Sequence, residues 1–72
     1  MQNIFSFLSE QEFEVEQILD SIFIRNRLYY LVKWKGYSIS ENSWEPDHFL
    51  KNSLDLVKSF YSRYPSKPHP RR

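Results

Sequence analysis

Three aromatic rings carry the most specific chemistry in this sequence. Trp34 and Tyr37 lie three residues apart, with Lys35 and Gly36 between them, so a glycine turn separates the rings. Phe13 stands at the head of the first β-prone stretch. If the ends of those segments meet, three ring faces enclose one small space. A ring face carries negative potential, and an alkylated ammonium is large, cationic and poorly hydrated. It gains from the rings without the full desolvation cost of a bare ammonium. Any one of these rings taken alone is better explained as core, and Tyr30 and Trp44 are assigned there. The chemistry therefore needs all three to converge.

Other chemistries find little support. Gly36 is the only glycine, which rules out a glycine-rich phosphate loop. The chain has no cysteine, hence no thiol nucleophile, disulfide or thiolate metal site. His48 and His69 lie far apart, and neither has a partner at metal-ligand spacing. No serine has a histidine and an acid in a recognisable relay. Glu41 and Glu45 form a conceivable carboxylate pair, but 72 residues offer no deep pocket around it. The expectation is a non-enzymatic binding module without cofactor or metal.

The chain is long enough for one domain with a small core. Its aromatic fraction of 18% supplies large buried areas per residue. No apolar run approaches the roughly 18 residues needed to cross a bilayer, and the first residues lack the positive charge of a signal peptide. An intracellular monomer without membrane contact is expected. A net charge of +1 argues against a general nucleic-acid binder. The charge is nevertheless sorted. Glu10, Glu12, Glu14, Glu16 and Asp20 come first, then the basic Arg25, Arg27, Lys33 and Lys35, and the tail carries Arg63, Lys67, Arg71 and Arg72. An acidic entry segment suits a basic partner; a solvated surface is the plainer explanation of the same charges.

The elements that must position the rings are short. Residues 1–10 show no period and are expected to form a flexible arm. From Phe13 an alternating pattern begins, with Phe13, Val15 and Gln17 on one side and Glu14 and Glu16 on the other. Ile18-Leu19 breaks it, which predicts a bulge or twist. Arg25-Asn26-Arg27 predicts a tight hairpin turn, since Asn tolerates the left-handed conformation. Leu28 to Trp34 is the strongest strand, with Leu28, Tyr30, Val32 and Trp34 on one face. Gly36 ends it. Ser43-Trp44-Glu45 is a short third strand stopped by Pro46. Asn52 or Ser53 is the candidate N-cap of a helix, with Asp55 at capping-box spacing from Asn52. Leu56, Val57, Phe60 and Tyr64 recur at helical spacing until Pro65. Beyond it, residues 65–72 are expected as an extended, mobile, Pro-rich basic tail.

Three stretches of this sequence together resemble the chromodomain family. Phe13-Glu14-Val15-Glu16-Gln17-Ile18-Leu19-Asp20 is similar to its opening strand, Tyr30-Leu31-Val32-Lys33-Trp34-Lys35-Gly36-Tyr37 to its second, and Asn42-Ser43-Trp44-Glu45-Pro46 to its third. They stand in order and at family spacing within a segment from Glu12 to Phe60, about two-thirds of the chain, a far stronger signal than any single motif. The resemblance implies an α+β fold over residues 11–64: an SH3-like partial barrel, a curved three-stranded antiparallel sheet packed against one C-terminal helix.

It also implies a function. Phe13, Trp34 and Tyr37 fall on the family's cage positions for methyl-lysine, with Phe in place of the usual Tyr at the first, and Glu41 falls beside the cage as an anionic wall. The partner implied is a histone tail, with the methylated ninth lysine of histone H3 as the family's typical target, in the nucleus on chromatin. The tail would enter as an added strand between residues 11–15, including Glu12, Glu14 and Val15, and residues 47–51, including Asp47, Phe49 and Lys51. Two positions depart from the heterochromatin-type pattern. Phe49 replaces an asparagine that bonds the peptide backbone, and Lys51 replaces an acid, which implies weaker or less selective binding. The helix and the Arg63-Tyr64-Pro65-Ser66-Lys67-Pro68 ending are similar to chromodomains of gypsy-type retrotransposon integrases, which implies a role in steering integration, or a host protein derived from one. Two alternatives stand beside this reading. One is a nucleic-acid-binding small barrel using Arg25, Arg27, Lys33, Lys35 and the tail. The other is a protein-interaction module like the chromoshadow domain.

Overall fold

The structure is a computed structural model that describes residues 13–70. The arm expected at 1–10 and the peptide-flanking Glu12 lie outside the described residues. Within them, three strands run β1 (Val15–Ile24), β2 (Arg27–Trp34) and β3 (Ser43–Pro46), and one helix follows, α1 (Leu54–Arg63). The sheet order is β1-β2-β3, antiparallel throughout. Short 3₁₀ turns at Ile39–Glu41 and Asp47–Leu50 flank β3.

The β1–β2 turn needs left-handed backbone at two successive residues. Arg25 and Asn26 have φ of 51° and 68°, and Ile24 pairs with Arg27 across them. Positive φ at both central residues is the type I′ pattern, whose twist matches that of the strands it joins. The bulge expected near Leu19 is present as a register shift between Ile18 and Asp20. A second shift, between Val15 and Gln17, was not anticipated. It places Val15 opposite Trp34 but Gln17 opposite Lys33, on the outer face. Val15 and Gln17 therefore do not share a side, and the regular strand starts at Val15 rather than Phe13.

The inward face of β2 builds the core. Leu28, Tyr30 and Val32 are buried together with Ile18, Leu50 and Phe60. Tyr30 and Phe60 meet edge to face, centroids 6.3 Å apart, a geometry that aromatic quadrupoles favour. Burial pushes the Tyr30 phenol well above the ordinary tyrosine range, and its hydrogen bond to Tyr61, 3.2 Å away, adds to the shift.

Trp44 is not in this core. It pairs with Leu31 on the outer face and is 41% exposed. The reason is strand alternation: Ser43 and Glu45 oppose the inward-facing Val32 and Tyr30, so Trp44 between them must point outward. The helix cap falls on the second of the two candidate residues, without a capping box. Ser53, not Asn52, is the N-cap, and it makes no side-chain cap bond; its carbonyl instead accepts the amides of Leu56 and Val57 at 3.0 and 3.1 Å.

Residues 65–70 do not extend freely. The Pro68 carbonyl accepts hydrogen bonds from Ser21 Oγ, at 3.0 Å, and from the Tyr61 hydroxyl. His69 stacks on Tyr61 with centroids 4.0 Å apart, and Lys67 pairs with Asp20 at 3.0 Å. Ser21 is a buried polar residue facing the core, and the tail supplies the acceptor it requires.

Candidate functional site

Trp34 ends β2, and the turn beyond it is fixed by one backbone bond, Tyr37 N–H to Trp34 C=O at 3.1 Å. Gly36 in that turn has φ of 84°, which a side chain would strain. The turn brings the Tyr37 ring back beside the strand end. On the other side, Lys35 N–H donates to Glu14 C=O at 2.9 Å. That bond carries the pairing past Val15 and holds Phe13 against the same corner.

The three rings therefore meet. Phe13 lies 6.3 Å from Trp34 at an interplanar angle of 74°, and 6.1 Å from Tyr37 at 37°. With Glu41, Ser43, Glu45 and Phe49 they line a cavity of about 450 Å³. Phe13 and Tyr37 are nearly half exposed, so their ring faces are open to a ligand. Glu41 reaches the cavity from the 3₁₀ turn at Ile39–Glu41, which is closed by Glu41 N–H to Ser38 C=O and Asn42 N–H to Ile39 C=O.

Sequence reasoning did not assign Ser43 and Glu45 to this cavity. Trp34 Nε1 donates to Ser43 Oγ at 2.9 Å, and Ser43 Oγ donates to Glu45 Oε2 at 2.7 Å. This relay fixes the plane of the indole and holds a second carboxylate beside the rings. The available signal was alternation: Ser43 and Glu45 are two apart on the face opposite Trp44. Phe49, expected to touch the peptide strand, also forms a wall of this cavity and is 61% exposed.

A longer depression of about 830 Å³ adjoins the first, sharing Phe13, Trp34, Glu45 and Phe49. Glu14, Val15 and Lys51, expected to flank a peptide, line it together with Asp55 of α1. Asp47 does not: it lines other depressions, beside Tyr30 and Arg27. The 3₁₀ turn at Asp47–Leu50, anchored by buried Leu50, directs neighbouring side chains to different sides. Two of the cations that the nucleic-acid alternative would use are paired, Lys33 with Glu16 at 2.9 Å and Lys35 with Glu14 at 3.8 Å.

A small curved sheet closed by one helix, with an acid-flanked aromatic pocket at one corner, defines a compact binding module. The Chromo (CHRromatin Organisation MOdifier) domain model matches residues 13–63. Testis-specific chromodomain protein Y 1 of Homo sapiens is 41% identical over 61 residues, which cover 83% of this chain and 11% of that protein. Heterochromatin protein 1 of Drosophila melanogaster is 39% identical over 51 residues, covering 71% of this chain and 24% of that protein. The chain belongs to the chromodomain family. It spans between about a tenth and a quarter of the length of these relatives. Among solved structures, the Drosophila HP1a chromo shadow domain matches with a TM-score of 0.67 at 24% identity, over 81% of this chain and 93% of that one, a likeness of fold.

Proposed function

We propose that this chromodomain reads a methylated lysine in a histone tail, with the methylated ninth lysine of histone H3 as its target on nuclear chromatin. The observation that carries the reading is the convergence of Phe13, Trp34 and Tyr37 around one open cavity with Glu41 and Glu45 at its wall. The rings offer their faces to the methyl groups, and the carboxylates offset the positive charge. The adjoining depression between Glu14-Val15 and Phe49–Lys51 suits an extended peptide adding main-chain pairing to the Phe13 segment. In a parent protein of the integrase type, such a reader would direct insertion to marked chromatin.

Titration of trimethylated and unmodified H3 tail peptides tests the reading. The methylated peptide should bind tighter, and Tyr37→Ala, at an exposed position, should cost about 2 kcal/mol, roughly thirtyfold in Kd. Trp34→Ala should abolish the preference, with circular dichroism confirming the fold. Equal curves for modified and plain peptides would sink the reading.

A further inference from the structure

The charge sorting of the sequence becomes a gradient in space, with Lys51 and His48 at the boundary. The cavity and groove at the Trp34 end carry Glu14, Glu41, Glu45 and Asp55. The opposite end of β2 is different. A depression of about 550 Å³ between the second 3₁₀ turn, α1 and the tail is lined by His48, Lys51, Lys58 and His69; His48 and Lys51 also border the peptide groove, whereas Lys58 and His69 do not. A smaller one of about 240 Å³ is lined by Arg27 and, again, His48. The two share Asp47 and His48, so they join into one track, with Asp47 its single carboxylate. Arg27 and Trp34 close opposite ends of the eight-residue β2, about 23 Å apart at strand rise.

The cations of this track are unspent. Lys33, Lys35 and Lys67 each pair with an acid of the β1 segment. Arg27, Lys51 and Lys58 make no ion pair among the described residues and are exposed. From residue 48 onward the chain carries six Lys or Arg (51, 58, 63, 67, 71, 72) against one acid, Asp55. Among the described residues, Lys67 is offset by Asp20, but no ion pair offsets Arg27, Lys51 or Lys58.

We propose that the Arg27–His48–Lys58 track binds the phosphodiester backbone of duplex DNA. Evenly spaced phosphates need only cations along a track, and each contact releases a condensed counterion. Sequence-specific recognition is not required. Duplex DNA is the polyanion that lies beside histone tails, and the acidic end suits such a tail. One domain would then grip a basic peptide at one end and an acidic polymer at the other. This extends the peptide-reading proposal but does not depend on the aromatic cavity.

Fluorescence anisotropy with a labelled duplex of roughly 20 base pairs tests it. With Arg27, Lys51 and Lys58 engaged, log K should fall with log salt with a slope of about −3. The double variant Arg27→Gln/Lys58→Gln should cut that slope to about −1. Both side chains are exposed and neither lines the aromatic cavity, so the variant should keep its circular dichroism spectrum and its methyl-peptide binding. Trp34→Ala should leave DNA binding unchanged while losing the peptide, which separates the two proposals. No duplex binding by the wild type at low salt overturns the proposal, as does a double variant with the wild-type slope. Preferential binding of single-stranded RNA or of phosphatidylserine vesicles would overturn it too.

Discussion

The indole of Trp34 is tied to Ser43: Nε1 donates to Oγ at 2.9 Å, across the β2–β3 pair rather than along the chain. Ser43 passes the bond on to Glu45 at 2.7 Å. One hydroxyl thus sets both the plane of a ring and the place of a carboxylate. Ser43→Ala would leave the ring present but its edge unpaired and Glu45 released. The expected cost is about 1 kcal/mol of methyl-peptide binding, roughly fivefold in Kd. Isothermal titration beside a thermal melt checks it. A variant that binds as well as wild type would show that the ring needs no such support.

The outward position of Trp44 separates it from the core aromatics. Trp44→Ala removes a ring that packs beside Leu31 on a wet face, and about 1 kcal/mol or less of stability should be lost. Phe60→Ala, by contrast, empties a buried site against Tyr30 and should cost about 3–5 kcal/mol, enough to unfold so small a domain. Urea titrations of the two variants should therefore differ widely. Similar midpoints would place Trp44 inside after all.

The docked tail should respond to acid. The hydrogen bond from Lys67 holds the Asp20 carboxyl below its ordinary value of 3.8. A folded-state pKa below the unfolded one contributes stability above the ordinary carboxylate range and loses it as pH falls through the depressed value. Stability should accordingly fall as pH drops through and below the ordinary carboxylate range. Asp20→Asn should flatten that fall without changing the slope near neutrality. Urea unfolding at stepped pH checks this. An unchanged acid limb would mean that the pair with Lys67 does not form in solution.

Much of the scaffold was legible locally. Arg25-Asn26 announced the hairpin because left-handed backbone is a property of the residues in the turn, and period-two alternation announced Leu28, Tyr30 and Val32 as the inward face of β2. The rings of the candidate site were nameable because Phe13, Trp34 and Tyr37 fall at recognisable spacing within three family-like stretches.

Other features depended on contacts between distant segments. The second bulge in β1 reversed the facing of Gln17, and no local composition marks it. The alternation of β3 that turns Trp44 outward and Glu45 inward was fixed only by its register against β2. The tail carries no period of its own; it docks because Ser21, buried 47 residues earlier, needs an acceptor. The sequence by itself determined which residues prefer turn, strand or helix, because those preferences are set by each residue and its near neighbours. Tertiary structure alone decided which rings face one another, which cations stay unpaired and where the tail lies, because each is settled by register and burial between segments far apart in the chain.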